Sequence, residues 1–168
     1  MITLALDAST RCTGWSVMEA NSGVWIDSGA IDLKKDTNLE HRICDMTDRI
    51  CSLIKTVNPE KIYLEDTAQM VNVSTLKSLC WLAGGIKYWC AKHKYDVELV
   101  LPSVWRKYVK IQENRATRSE LKNKAILLCQ EQFDLFVSDD EAEAILINLA
   151  MAVRDYNVKL KIKNENIG

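Results

Sequence analysis

Apolar and polar positions alternate through the first third of the chain, as side chains do on a half-buried strand. Residues 2–7 form an apolar run that ends on Asp7, residues 14–19 resume the pattern, and residues 24–33 repeat it after an Asn21, Ser22, Gly23 turn. Trp15, Val17, Trp25 and Ile31 supply the aromatic and β-branched side chains that strands favour. An antiparallel three-stranded meander is expected. The period then changes to 3.6 residues. Leu39, Ile43, Met46, Ile50, Leu53 and Ile54 make one stripe, Thr37 and Glu40 offer a capping box, and Asn58 with Pro59 ends the helix. His41 lies off that stripe and reads as solvated.

Residues 61–66 predict a fourth strand, with Ile62 and Leu64 on one face and Tyr63 and Glu65 on the other. Asp66 falls on the Ile62 side, at the strand's end. A polar stretch over 67–74 opens a long helix reaching about His93, whose place near the helix end suits the helix dipole. Leu76, Leu79, Cys80, Ala83 and Ile86 share one face of it, while Trp81, Tyr88 and Trp89 lie elsewhere, so the helix is either fully buried or holds a subunit contact. For Trp81 and Trp89, core packing is the expected role, ahead of dimer contact and base stacking. Gly84 and Gly85 in mid-helix call for a backbone approaching closely. A fifth strand at 97–101, a short helix at 103–109, and helices at 118–133 and 139–156 complete the regular elements. The tail from Val158 alternates like a strand or is flexible. The predicted class is α/β, a five-stranded mixed sheet flanked by helices, in one domain over residues 1–168.

Composition narrows the function less than distribution does. A chain that is 48% hydrophobic and 27% charged is ordinary for a globular protein. No apolar run has membrane-span length and the N-terminus has no signal-peptide pattern, so the expectation is a cytoplasmic protein with no membrane partner. The six cysteines form no Cys-x-x-Cys pair, which disfavours zinc and suggests reduced thiols. The net charge of −1 conceals a basic run from Trp105 to Lys124. Arg106, Lys107, Lys110, Arg115, Arg118, Lys122 and Lys124 are opposed there only by Glu113 and Glu120. Such a run is usually a solvated helix face. Its overlap with Trp105 and Tyr108, just ahead of an acidic segment, favours a phosphate-binding surface.

That acidic segment opens the last helix. Ser138 and Glu141 form a capping box, and Asp139 and Asp140 suit the helix dipole. Glu143 lies beyond the cap in a helix that is apolar nearly all round, on the same face as Asp140. Buried carboxylates need cations, and this segment carries none close by, so a divalent metal is the expected counter-charge. Asp7, Glu65, Asp140 and Glu143 together would suit two Mg²⁺ ions, the chemistry of phosphodiester hydrolysis.

The order of elements, with Asp7 on the first strand and Glu65 on the fourth, resembles the ribonuclease H-like superfamily. Within it the chain resembles RuvC-type Holliday junction resolvases, and the compact phage-type members in particular. The likeness rests on Leu4, Ala5, Leu6 and Asp7, on Thr13, Gly14 and Trp15, and on Ile62 to Glu65. It continues through residues 72–84 and ends on Asp140, Glu143 and Ala144. It implies a homodimer that nicks opposed strands of four-way or other branched DNA with Mg²⁺, or Mn²⁺ in its place. Asp7, Glu65, Asp140 and Glu143 would be both the catalytic residues and the ligands of two metal ions. Arg106, Lys107, Lys110, Arg115, Arg118 and Lys122 would grip DNA phosphates. In two places the chain departs from the family: Glu143 replaces the usual aspartate, and Met70 is the only large apolar side chain where better-known members carry an aromatic wedge.

Two rival classes remain at this stage. The small residues between Asp7 and Gly14 also resemble the phosphate loop of actin-like ATP-dependent phosphotransferases, although 168 residues leave room for only one half of that duplicated core. A non-catalytic module that binds branched DNA is the other.

Overall fold

The computed structural model describes residues 1–67, 72–111 and 116–161. Five strands, β1 (Ile2–Asp7), β2 (Cys12–Glu19), β3 (Val24–Asp32), β4 (Lys61–Glu65) and β5 (Val97–Val100), form one sheet in the order β3-β2-β1-β4-β5. The first three make the expected antiparallel meander, while β4 and β5 run parallel to β1. Among the described residues five helices flank them: α1 (Leu39–Val57), α2 (Val73–Lys92), α3 (Pro102–Tyr108), α4 (Arg118–Phe133) and α5 (Asp139–Tyr156).

Strand alternation divides the core in two. Leu4, Leu6, Ile62 and Leu64 point toward α1 and α2 and pack with Met46, Ile50, Ile54, Leu82 and Ile86. Ala5 and Tyr63 face the other way, into a core with Trp105 of α3, Ala125 of α4 and the buried residues of α5. Each fully buried large side chain contributes about 1.5–3 kcal/mol, so both layers are strongly held to the sheet.

Several local expectations are corrected. The cap of α1 is Asn38, whose side chain accepts from the His41 N–H at 3.1 Å, in place of the Thr37 and Glu40 box. The buried stripe of α2 is Ser78, Leu82, Ile86 and Cys90, so the face expected from Leu76 and Cys80 is rotated. Trp81 is not core but 58% exposed, and Tyr88 is 69% exposed beside it. Among the described residues nothing outside the helix's own backbone lies within 4 Å of where a Gly84 side chain would begin, so the expected close backbone approach is not found there. His93 caps α2 and lies against the Trp89 ring, with centroids 4.3 Å apart. Beyond α5, residues 157–161 are neither helix nor strand. They are nonetheless tied down: Gln132 donates to the Lys161 carbonyl at 2.9 Å and accepts from its N–H at 2.8 Å.

The position of α5 is fixed by polar contacts inside an apolar layer. Asn148, fully buried, accepts from the Thr3 hydroxyl at 2.6 Å and donates to the Ser16 carbonyl at 3.0 Å. The Ser16 hydroxyl donates to the Ala144 carbonyl at 2.9 Å. These bonds join α5 to β1 and β2 in a single register. Replacing Asn148 by Leu would remove its bonds to the Thr3 hydroxyl and the Ser16 carbonyl, leaving the Thr3 hydroxyl only its longer bond to the Met18 carbonyl at 3.3 Å. A buried hydrogen bond left unmade costs about 1–3 kcal/mol. Urea unfolding of Asn148→Leu is therefore expected to show a loss of at least about 2 kcal/mol despite the added apolar volume.

Candidate active site

Two parallel strands bring the first carboxylates together. Leu6 pairs with Leu64 in the β1–β4 ladder, so the next residues, Asp7 and Glu65, end adjacent strands. Both belong to the alternation that faces α5, following Ala5 and Tyr63. α5 then brings its N-terminus over them. Gly14 is what lets it come so close, because a Cβ there would collide with the carbonyl of Asp140.

Asp7, Glu65 and Glu143 line one cavity of about 440 Å³, with Arg106 and Arg118 on its wall. Its rim includes Ser9, in a loop held shut by bonds from the Ser9 N–H to the Thr13 hydroxyl (3.1 Å) and from that hydroxyl to the Ser9 carbonyl (2.9 Å). Burial raises the Asp7 carboxyl well above the usual range, and the nearby charges of Glu65, Glu143 and Asp140 push it further. Glu65 is raised too, chiefly by burial, although the Trp105 indole works against the shift. The two carboxyls act on each other, and the upward shift is the larger at Asp7.

Asp140 sits at the edge of this group. Its carboxylate lies 3.4 Å from Lys122 Nζ and 3.9 Å from Lys34 Nζ. It also receives the Cys12 thiol, which burial, followed by this carboxylate, pushes up to about 12. Asp139 pairs with Lys122 and is held below the ordinary aspartate range by that bond. Glu141 caps less than expected. Its N–H reaches Ser138 at 3.4 Å, but its carboxylate accepts from Ser28 of β3 at 2.7 Å instead of folding back on the cap.

The last-helix segment carries no cation of its own close by, and the positive charges come from other elements of the fold. Arg106 Nη2 lies 3.1 Å from Glu143 Oε1. Its neighbour Trp105, completely buried, donates its indole N–H to Glu65 Oε1 at 2.8 Å. Of the basic residues expected to hold phosphate, Arg106 and Arg118 line the cavity and Lys122 reaches the acidic edge. Lys107 and Lys110 are exposed and are not among the lining residues. Arg115 and Met70 lie outside the described residues. Among the described residues, no three His, Cys, Asp or Glu side chains stand as a group that could hold a metal ion.

Sequence reasoning missed Lys34 and the indole donor of Trp105. Lys34 carried no local signal, since it meets Asp140 only through the fold. Trp105 did carry one, being an aromatic inside a basic run, but it was read as part of the DNA surface.

A five-stranded mixed sheet with acidic side chains at adjoining strand ends, closed by a final helix, is the architecture of the ribonuclease H-like class. A family profile described as crossover junction endodeoxyribonuclease RuvC matches residues 3–149, and the chain belongs to that family. A RuvC of Dictyoglomus thermophilum is 24% identical over 151 residues, covering 88% of this chain and 93% of that one. For a RuvC of Legionella pneumophila the identity is 27% over 98 residues, covering 57% of this chain and only 56% of the relative. Thermus thermophilus RuvC, solved in complex with a Holliday junction substrate, superposes with a TM-score of 0.71 at 12% identity, covering 96% of this chain and 99% of that one. Fowlpox virus resolvase, solved with Holliday junction DNA, gives a TM-score of 0.62 at 15% identity, covering 92% and 98%. At such identities the two structures establish a shared fold.

Like charges crowded into a half-buried place oppose folding when no cation offsets them. Asp7→Asn keeps the shape of the side chain and removes one of those charges. In metal-free buffer at neutral pH its melting temperature is expected to exceed that of the parent. A gain of about 1 kcal/mol would raise it by roughly 2–4 °C in a chain of this size. Differential scanning calorimetry in the presence of a chelator checks it, and a lower melting temperature would contradict the crowding.

Proposed function

We propose that the chain is a metal-dependent endonuclease that cleaves Holliday junctions, and related branched DNA, by phosphodiester hydrolysis. The observation that carries the reading is the convergence of Asp7, Glu65 and Glu143 in one cavity walled by Arg106 and Arg118, with Asp140 at its edge. An all-carboxylate oxygen set suits hard cations, and the Asp7 carboxyl, raised first by burial and then by its acidic neighbours, carries a negative charge that a cation would stabilise. Asp7, Glu65, Asp140 and Glu143 are the residues that would hold two Mg²⁺ ions, or Mn²⁺. Ions so held would supply Lewis-acid stabilisation of the phosphate and a more acidic attacking water.

The chain's own groups do the rest. Trp105 orients Glu65 through its indole bond. Arg118 and, on the outer face of α3, Lys107 offer charge to the flanking phosphates, binding that fixes position without selecting sequence. No helix among the described residues is long and apolar enough to cross a membrane. Action on cellular DNA in the cytoplasm accords with that.

Incubation with four-way, three-way, flap, duplex and RNA substrates in Mg²⁺ is expected to give paired nicks on the four-way junction, with weaker cutting of other branches. Asp7→Asn should cut none of them while still binding the junction. Unaltered cleavage by that variant would sink the site assignment, and binding without any nicking by the parent would leave a DNA-binding module instead.

Two sites acting on opposed strands require two subunits, and α2 offers the surface. Val73, Trp81 and Tyr88 are 61%, 58% and 69% exposed on one helical face, and bare Gly84 between them leaves room for a second backbone. Trp81→Glu is expected to convert a dimer to a monomer in sedimentation equilibrium without loss of helical circular dichroism. An unchanged mass would place the dimer contact elsewhere.

A further inference from the structure

Arg106 is the least settled charged group in the site. A guanidinium has five N–H donors. Here Nη2 finds Glu143 at 3.1 Å, the group lies 4.9 Å from the Trp105 ring centroid, and Nε is buried with no acceptor among the described residues. A buried donor left unmade is costly. The side chain therefore holds this pose for the sake of Glu143, with part of its hydrogen-bonding fork unused. Lys122 is drawn inward in the same way, bridging Asp139 and Asp140 from α4.

The two pairs engage the last-helix carboxylates that Asp7 and Glu65 would need as co-ligands. Asp7, Glu65, Glu143 and Asp140 act on one another electrostatically, yet among the described residues no three of them stand as a ready metal site. Arg106 and Lys122 are thus internal cations seated on the donor set.

We propose that Arg106 and Lys122 are exchangeable counter-ions of the acidic centre, which links metal loading to phosphate binding; the inference rests on the nuclease reading above. In the metal-free protein they neutralise Glu143 and Asp140. When those carboxylates turn to a divalent cation, the guanidinium is released at the wall of the cavity and the ammonium at its acidic edge, where DNA phosphates can take up the freed donors. Trp105 makes this a side-chain movement. It is fully buried and bonded to Glu65, so α3 stays in place while the residue next to it swings. Coupling of this kind is reciprocal, so phosphate binding also lowers the cost of loading the metal.

The test is made without DNA, so that a lost phosphate contact cannot imitate the result. Mn²⁺ binding is measured by calorimetric titration, and free Mn²⁺ by electron paramagnetic resonance, for the parent chain, Arg106→Gln, Arg106→Lys and Lys122→Gln. Removing the internal cation should tighten Mn²⁺ binding in Arg106→Gln on the order of fivefold, whereas Arg106→Lys should stay near the parent. Lys122→Gln should shift in the same direction and carries the test if Arg106→Gln does not fold. Unchanged or weaker Mn²⁺ binding in a folded glutamine variant overturns the exchange and leaves the nuclease reading intact. Failure of the parent chain to take up Mn²⁺ overturns both.

Discussion

The whole site depends on how closely the first turn of α5 can lie on the sheet. Asp7 and Glu65 are fixed by the parallel pairing of β1 and β4, but they are only two carboxylates until α5 arrives. Its approach is limited by the backbone of β2, and Gly14 removes the one Cβ that would keep Asp140 away. Further along the helix, Asn148 bonds to Thr3 and Ser16 and prevents α5 from sliding once it has docked. Gly14, under the first turn, therefore sets the height of the helix, and Asn148, at its middle, sets the register. The apolar surface between them supplies the cohesion, but an apolar surface alone would accept several registers.

That docking creates an electrostatic problem that the rest of the molecule answers. Carboxylates from three elements meet in a place shielded from water, where repulsion is strong. Cations arrive from α3, α4 and the turn after β3, as Arg106, Lys122 and Lys34. Their contacts are uneven. Glu143 has a close partner in Arg106 and Asp140 has two more distant ones, while Asp7 has none among the described salt bridges. The charge left over falls on the residue nearest the parallel strand ends, the usual place for ligand chemistry in such sheets.

Much of this was legible in the residues, for a definite reason. The strands and helices carry their own periodicity, and the two faces of 61–65 could be assigned because alternation is local. Asp7, Glu65 and Glu143 stood out because each interrupts an apolar run with a group that is costly to bury. Contacts with no local signature stayed hidden. Glu141 looks like a cap because Ser138 is three residues away, yet its carboxylate goes to Ser28, 113 residues distant in sequence. The absence of a basic residue beside Glu143 said nothing about Arg106, 37 residues earlier. Trp81 misled for the opposite reason: an aromatic in an apolar helix looks buried until the packing of α1 and α2 decides which face is inside.

The same geometry explains why the basic run has to be placed where it is. A phosphate-binding surface remote from the acidic centre would attract DNA without presenting it to the carboxylates. α3 avoids that by putting Trp105 on Glu65 and Arg106 on Glu143 in consecutive positions, so that the edge of the proposed phosphate surface is also the wall of the acidic cavity. Negative charge concentrated at one point would by itself repel a polyanion. With positive groups already seated on its rim, the cavity would, on the proposed nuclease reading, stay acidic enough for divalent cations and still admit a phosphate backbone. Both requirements are met only because one short helix serves the two surfaces at once.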